Sequence, residues 1–293
     1  MSYQPIENYG VIGDLHTVAL VGMDGSIDFM CALRFDSTSV FALLDDERGG
    51  RFQLAPLLEG ARQKQLYLPD TCVLLTRFLS DDGVAEVSDF MPIGDGRHAH
   101  DVVRRAKTVR GEVRFRMVCQ PRFDYARATH TAEQTADGIR FIAGSGPALA
   151  FLLRSSIPVR IVDGAAVAEF LLRADESASF VFEQVEPGGE SPSGAPDYVA
   201  RAFKDTVNFW RGWVGRSTYR GRCKRKGKMV ACTRHRTIKP SVAALTSTRF
   251  KVVASKLPYG TQVFTLVAVD KAGHRQALPT RKTVKTKKPR QRR

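Results

Sequence analysis

The chain runs out of carboxylates before it ends. No glutamate follows Glu190, and a single aspartate, Asp270, follows Asp205. Chemistry that needs two facing carboxyl groups therefore has no seat within residues 206–293. Long apolar runs are also missing. Nothing approaches the roughly 18 consecutive apolar residues of a membrane-spanning helix, so no transmembrane segment is expected. The first residues lack a basic stretch followed by an apolar one, which does not read as a signal peptide, and the expected location is the cytoplasm. Cysteine is sparse, at five residues. Cys31, Cys72 and Cys119 sit in apolar, strand-like stretches and read as small hydrophobes. Cys223 and Cys232 flank eight residues and form a candidate disulfide pair. A zinc site is not expected, because His235 alone does not complete four ligands around that pair. Tryptophan is rarer still: Trp210 and Trp213 are the whole complement.

Charge is present but unevenly divided. Of 45 Lys and Arg, 21 lie in residues 222–293, against one of the 30 acids. Residues 1–221 keep 24 bases and 29 acids, a net charge of −5, while the tail carries +20 and the whole chain +15. The basic character thus belongs to residues 223–293 alone. It suits a nonspecific contact with an anionic polymer such as nucleic acid, acidic cell wall or anionic lipid. Only Phe250, Tyr259 and Phe264 are aromatic there, which does not indicate base-specific reading.

The first two hundred residues read as about ten short strands punctuated by turns. Val18–Val21 and Ile27–Met30 flank Asp24 and Gly25, a strong hairpin signal. A short helical turn is expected after Ser37, and a strand over Arg51–Leu54. Thr71–Phe78 and Val84–Met91 form a second hairpin across Asp81, Asp82 and Gly83. A third is expected to pair Val102–Val109 with Val113–Gln120 across Arg110 and Gly111. Further strands are read at Ile139–Ala143, Ala148–Leu153, Val159–Val162, Ala166–Leu172 and Ala178–Glu183. Such a chain folds as an antiparallel sandwich.

Residues 186–196 are a linker by composition. Val199, Phe203, Val207, Trp210 and Val214 then recur at helical spacing and predict one helix from about Asp197 to Trp213. In the tail, Arg249–Ala254, Thr261–Val269 and Arg281–Lys285 read as strands, with turns at Leu257–Gly260 and Asp270–Gly273. Residues 285–293 read as disordered.

Several motifs resemble the opening of bacterial glycoside hydrolase family 15 proteins, the glucoamylases and trehalases. They are Ile6–Asp14, Ala19–Asp28, Arg34–Ser37, Tyr67–Thr71, Ser88–Pro92, Arg122–Tyr125, and Trp210–Trp213 with Thr218–Arg222, in that order along residues 1–222. The resemblance implies a super-β-sandwich, a linker helix and then an (α/α)6 barrel holding the active site. It implies inverting hydrolysis of an α-glucoside, trehalose or a maltooligosaccharide, by two barrel glutamates and without a cofactor. After Arg222 the resemblance stops. No catalytic residue can be carried over, and the chain alone is expected to be inactive. Residues 249–284 resemble, more loosely, a bacterial immunoglobulin-like or fibronectin-type repeat, a class usually found on secreted proteins.

The expected fold is mainly β: a large antiparallel super-β-sandwich (1–190), a linker and helix (191–222), a small β-sandwich-like fragment (223–284) and a basic tail (285–293). A junction made by recombination or a frameshift would give the same abrupt change.

Four residues stand out as substrate or domain-interface candidates. Arg34 and Asp36 suit an interface with a barrel, or an ion pair within the sandwich. Trp210 and Trp213 suit a sugar platform, or packing of the helix on the sandwich. His98 and His100 with Asp95 and Asp101 have the residue types of a metal cluster but read as decoration of a polar loop. No metal site is expected. Asp14 and His16 read as a turn rather than a catalytic dyad. Gly144–Pro147 reads as a turn and not a phosphate loop. Without a barrel, the sandwich would expose an apolar face suited to self-association.

Overall fold

The computed structural model describes residues 4–44, 48–93, 100–145, 149–185 and 192–216, together with the backbone of six strands between 222 and 286. It divides into two compact units, residues 1–218 and 219–293.

The first unit is built around one strand. β9 runs for 19 residues, Val102–Gln120, and belongs to two layers in turn. The numbering of its neighbours follows the chain: β1 (Tyr9–Gly13), β2 (Val18–Gly22), β3 (Ser26–Cys31), β4 (Ser39–Ala42), β5 (Arg51–Pro56), β6 (Arg62–Tyr67), β7 (Leu74–Leu79) and β8 (Gly83–Phe90) precede it. After it come β10 (His130–Thr135), β11 (Gly138–Ala143), β12 (Ala150–Ser155), β13 (Arg160–Val162), β14 (Ala165–Arg173) and β15 (Ser177–Gln184). The second half of β9 lies between β5 and β14 in a layer ordered β1-β2-β3-β5-β9-β14-β13, with β4 on β3. Its first half lies between β8 and β15 in a layer ordered β6-β7-β8-β9-β15-β12-β11-β10. Every pairing is antiparallel, so the fifteen strands make one sheet folded on itself as a sandwich.

Two expectations are corrected here. Val102–Val109 and Val113–Gln120 do not pair with each other as a hairpin. They are one strand, and Arg110 and Gly111 mark its corner. Gly111 has φ +79°, and a Cβ there would lie 2.6 Å from the Asp82 carbonyl oxygen. The same glycine chemistry that closes a hairpin turn here lets a strand bend between layers. The residues after Ser37 form β4 instead of a helical turn. All four β4 residues are buried, and Val40 and Phe41 pack in the core, which rewards extended backbone paired to β3. The hairpins at Asp24–Gly25 and Asp81–Gly83 are present as read, as β2–β3 and β7–β8. Gly25 is required at its turn: φ is +82°, and a Cβ would meet the Leu54 carbonyl oxygen at 2.3 Å.

The core between the layers is aromatic. Phe182 stacks on Phe151, with ring centroids 4.7 Å apart, and also meets Phe41, Phe52 and Phe141. Strand alternation sends Val102, Phe180 and Phe182 inward to this core and Val103 and Val181 to the opposite face.

That opposite face is covered by α1, Tyr198–Gly215. Tyr198, Ala202 and Val207 pack with Val73, Phe90, Val103 and Val181, and the Phe203 ring meets Phe90 edge-on at 5.6 Å. The sequence pattern located the helix to within two residues at either end. It pointed to Phe203 and Val207 correctly but not to Tyr198 and Thr206, which are both buried.

In the second unit, β16 (Arg222–Arg225) pairs with β17 (Lys228–Ala231), β18 (Ser241–Ala244) with β19 (Phe250–Val253), and β20 (Gly260–Leu266) with β21 (Thr280–Thr286), each antiparallel. The last three coincide with the strands read in the tail. Cys232, the turn at 270–273 and the tail from 287 lie outside the described residues. No described helix is long and apolar enough to cross a membrane.

Candidate functional site

One end of the sandwich gathers the loops that carry its unusual backbone. The β1–β2 turn reaches the end of β3 through Thr17, whose hydroxyl donates to the Cys31 carbonyl at 2.9 Å. Cys31 pairs with Ser39, and Ser39 accepts from the backbone of Asp124 at 3.0 Å and, through its hydroxyl, of Tyr125 at 2.8 Å. Six of the nine non-glycine residues with positive φ among the described residues lie here: Leu15, Leu33, His100, Asp124, Tyr125 and Ala126. Each costs on the order of 1 kcal/mol or more relative to ordinary backbone. Leu15, Leu33, Phe35 and Tyr125 are exposed at this end, Phe35 to 60%. Arg34 and Asp36 flank it, paired to each other at 3.4 Å with both side chains about three-quarters exposed (73% and 76%). A pair so open to water contributes little to stability.

Behind these loops lies a buried polar cluster. Asp14 Oδ1 accepts from the backbone N–H of His16 (2.9 Å) and Thr17 (2.8 Å), so it holds the turn as expected. Its second oxygen, Oδ2, sits 2.6 Å from His100 Nδ1, with both side chains buried. The His16 ring meets the His100 ring edge-on, 5.6 Å away. Next in the chain, Asp101 is 1% exposed and accepts from the Tyr198 hydroxyl of α1 at 2.5 Å. His100 and Asp101 are thus not decoration of a polar loop. They are interior groups, bonded to partners 86 and 97 residues away in sequence. Asp95 and His98 lie outside the described residues, and among those described no group of three or more ligand-type side chains could hold a metal ion.

Every buried acid of the described sandwich has a structural partner. Asp14 has His100, Asp28 has the Tyr9 hydroxyl (2.7 Å), Asp89 has Arg104 (2.8 Å), Asp101 has Tyr198 and Glu183 has Arg154 (2.8 Å). Burial raises the Asp28 carboxyl and, together with Asp28 itself, pushes the Tyr9 phenol well above its ordinary range. Asp101 is pushed up to about 7, first by burial and further by Glu183 and Asp14, while the Tyr198 bond pulls the other way. None of these acids faces a second carboxyl across an open cleft.

Two surface hollows lie among the described residues. One, of about 670 Å³, is lined by Glu59, Arg62, Asp81, Asp82 and Arg110 among others. Its carboxylates are exposed, and Arg110 is spent on the carbonyls of Ser80 and Asp81 at 2.8 and 3.1 Å. The other, of about 410 Å³, lies between the 67–72 turn and the end of α1, against Trp210 and Val214. Trp210 is half-buried, and its indole N–H is buried without an acceptor. Trp213 is half exposed, stacks on Phe209 at 6.0 Å and carries the Arg216 guanidinium over its ring at 5.9 Å. Both tryptophans thus meet the Phe209 ring, Trp210 edge-on at 5.5 Å and Trp213 in a stack, and Trp210 also lines the hollow. Cys31 and Cys119 are core residues, whereas Cys72 is half-buried, its thiol 3.6 Å from the Val11 carbonyl. Cys223 is placed in β16 by its backbone.

Comparison with known proteins bears on this geometry. The family description "Trehalase-like, N-terminal" matches residues 1–171. A trehalase of Mycobacterium tuberculosis is 27% identical over 235 residues, covering 72% of this chain and 34% of that protein. Trehalase 1 of Sulfolobus acidocaldarius is 29% identical over 202 residues, covering 69% and 33%. The chain thus spans about a third of the length of these relatives. A bacterial glucoamylase solved with acarbose aligns at a TM-score of 0.48 and 9% identity, over 70% of this chain and 36% of that one.

Proposed function

This chain belongs to the trehalase-like N-terminal family, and from that membership we propose that it is the non-catalytic sandwich part of a protein that handles an α-glucoside, either trehalose or a maltooligosaccharide. The observation that carries the reading is the state of its carboxylates. Hydrolysis of a glycosidic bond needs two carboxyl groups facing each other across the bond. Each buried acid of the described sandwich is instead engaged by a structural partner. Beyond the sandwich, the sequence to residue 293 supplies only Asp197, Asp205 and Asp270. The chain as it stands then releases no glucose from trehalose or maltooligosaccharides. Incubating the purified protein with both sugars tests this. Release that survives controls for contaminating enzymes overturns it.

In this reading, Arg34 and Asp36, with Leu33 and Phe35, line the face that meets a catalytic part. Backbone costs gathered at one loop end and apolar side chains left in water support that assignment. Where no such part covers it, the same face supports self-association. Trp210 and Trp213 are the alternative sugar contacts.

A second reading rests on the charge division. Residues 222–293 hold 21 bases against one acid, and such a segment binds polyanions through counterion release. The sandwich would then be a scaffold, and the tail an anchor to an anionic surface.

A further inference from the structure

The first turn of α1 is held to the sheet by a buried bond between two ionisable groups. Asp101 Oδ2 accepts from the Tyr198 hydroxyl, with the residues 1% and 8% exposed. The other carboxyl oxygen, Oδ1, is buried and has no hydrogen-bond partner. Asp101 is also surrounded by acids. Glu183 of β15 and Asp14 of the β1–β2 turn both act on it, each with a cation-capable partner of its own, Arg154 and His100. On the helix, Arg201 acts on Tyr198 but is itself paired with Asp197 at 3.1 Å. Among the described residues, each of these cation-capable groups is thus engaged with an acid other than Asp101.

We propose that the Asp101–Tyr198 bond is a proton-operated latch: with Asp101 protonated the first turn of α1 is docked on the sheet, and with Asp101 ionised it is released.

Three observations carry the latch. A carboxylate here has one donor for two buried oxygens, and an unsatisfied buried anion is far costlier than a neutral acid. Glu183 and Asp14 add repulsion. The element it holds is lightly anchored: Tyr198, Ala202 and Val207 belong to the small outer cluster and remain 8–9% exposed, unlike the core beneath. Release is confined to the first turns. Further along, the Thr206 hydroxyl accepts from the Ile93 backbone N–H at 3.2 Å and keeps the rest of the helix in place. Tyr198 does not compete for the proton, because burial and the neighbouring Asp101 hold its phenol protonated well above the ordinary range.

The docked form takes up its proton near 7, against an ordinary aspartate value of 3.8. Between those limits the docked state binds more protons than the released one. Opening then grows about tenfold for each pH unit and levels off above about pH 7.

Hydrogen exchange of the full chain, followed by mass spectrometry at pH 5, 6, 7 and 8 and corrected for intrinsic exchange, reads this directly. The expected result is an opening constant at residues 199–203 that rises about tenfold per unit from pH 5 to 7 and then flattens, with residues 206–210 unchanged. Asp101→Asn, which imitates the protonated acid, should remove the slope and leave those amides at their acid-side protection. Tyr198→Phe should open the same amides at every pH. A wild-type profile that is flat, or that tightens with pH as a charge-assisted bond would, overturns the latch. So does a slope that persists in Asp101→Asn. Because the wild-type profile decides by itself, a variant that fails to fold does not shelter the proposal.

Discussion

Arg104 and Asp89 form an ion pair closed to solvent, with both side chains 0% exposed and Nε 2.8 Å from Oδ1. They are cross-strand partners on β9 and β8. The guanidinium also reaches the other layer, donating to the Phe52 carbonyl and, at 2.7 Å, to the Gly25 carbonyl, while lying over the Phe52 ring at 4.9 Å. One side chain thus joins the hairpin turn of β2–β3 and strand β5 to the opposite sheet. Arg104→Met should cost about 3–5 kcal/mol, since it leaves a buried carboxylate and two carbonyls without their donor. The double variant Arg104→Met/Asp89→Leu should cost clearly less than the sum of the single changes. Urea denaturation of the three variants measures both. Additive losses would mean that the pair does not act as a unit.

At the corner of β9, Gly111→Val should destabilise by about 1–3 kcal/mol. The positive φ and the 2.6 Å approach to the Asp82 carbonyl oppose any Cβ, most of all a branched one. A surface control on the same strand, Arg116→Val, should change stability by less than about 0.5 kcal/mol. Equal losses at both positions would remove the corner's special status.

These two sites show what could and could not be read in advance. Hairpins closed by Asp24–Gly25 and Asp81–Gly83 were legible because turn chemistry and flanking apolar alternation agree. Arg110–Gly111 carries a similar local signal. Only the partners of its flanking strands, β5, β8, β14 and β15, decide that it is a bend. β6 and β10 escaped notice because they are edge strands with mostly polar, exposed residues, which leave no apolar period to see. The interior roles of His100 and Asp101 were hidden for a different reason. The stretch before them is rich in polar residues, and the groups they bond arrive from Asp14 and Tyr198. The exposed face around Arg34 and Asp36 was legible as a motif, but its strained backbone was not.

His130 supplies a pH dependence. It is half-buried between the Phe123 and Phe141 rings, and its Nε2 lies 3.0 Å from the Gly164 carbonyl. Burial lowers its pKa and nearby Arg122 adds to that, against the pull of the Gly164 carbonyl. The unfolded chain takes up a proton near pH 6.5, which the folded one resists. The unfolded state therefore binds more protons below that pH, and stability falls as pH drops through it. His130→Gln should reduce the fall in Tm between pH 7.0 and 5.5. An unchanged fall in the variant would assign the acid sensitivity elsewhere.

The exposed loop end makes a prediction about association. Phe35→Ser combined with Leu33→Ser should reduce binding of a hydrophobic dye and lower the self-associated fraction in sedimentation velocity. Unfolding stability should move by less than about 1 kcal/mol, because Phe35 makes little of the core. Dye binding that does not change would place the sticky surface elsewhere, with the hollow beside Trp210 the next to test.

The basic segment is separable by the division of the chain at residue 218. Residues 1–218 made alone lack the excess of cations, so retention on a heparin matrix should be lost. The full chain should elute at a salt concentration that rises with the number of Lys and Arg retained in 222–293. Screening at about 1 M salt shrinks the Debye length to roughly 3 Å, which should abolish binding if it is electrostatic. Retention of residues 1–218 equal to that of the full chain would move the polyanion contact to the sandwich, whose net charge of −5 over residues 1–221 makes it a poor cationic surface.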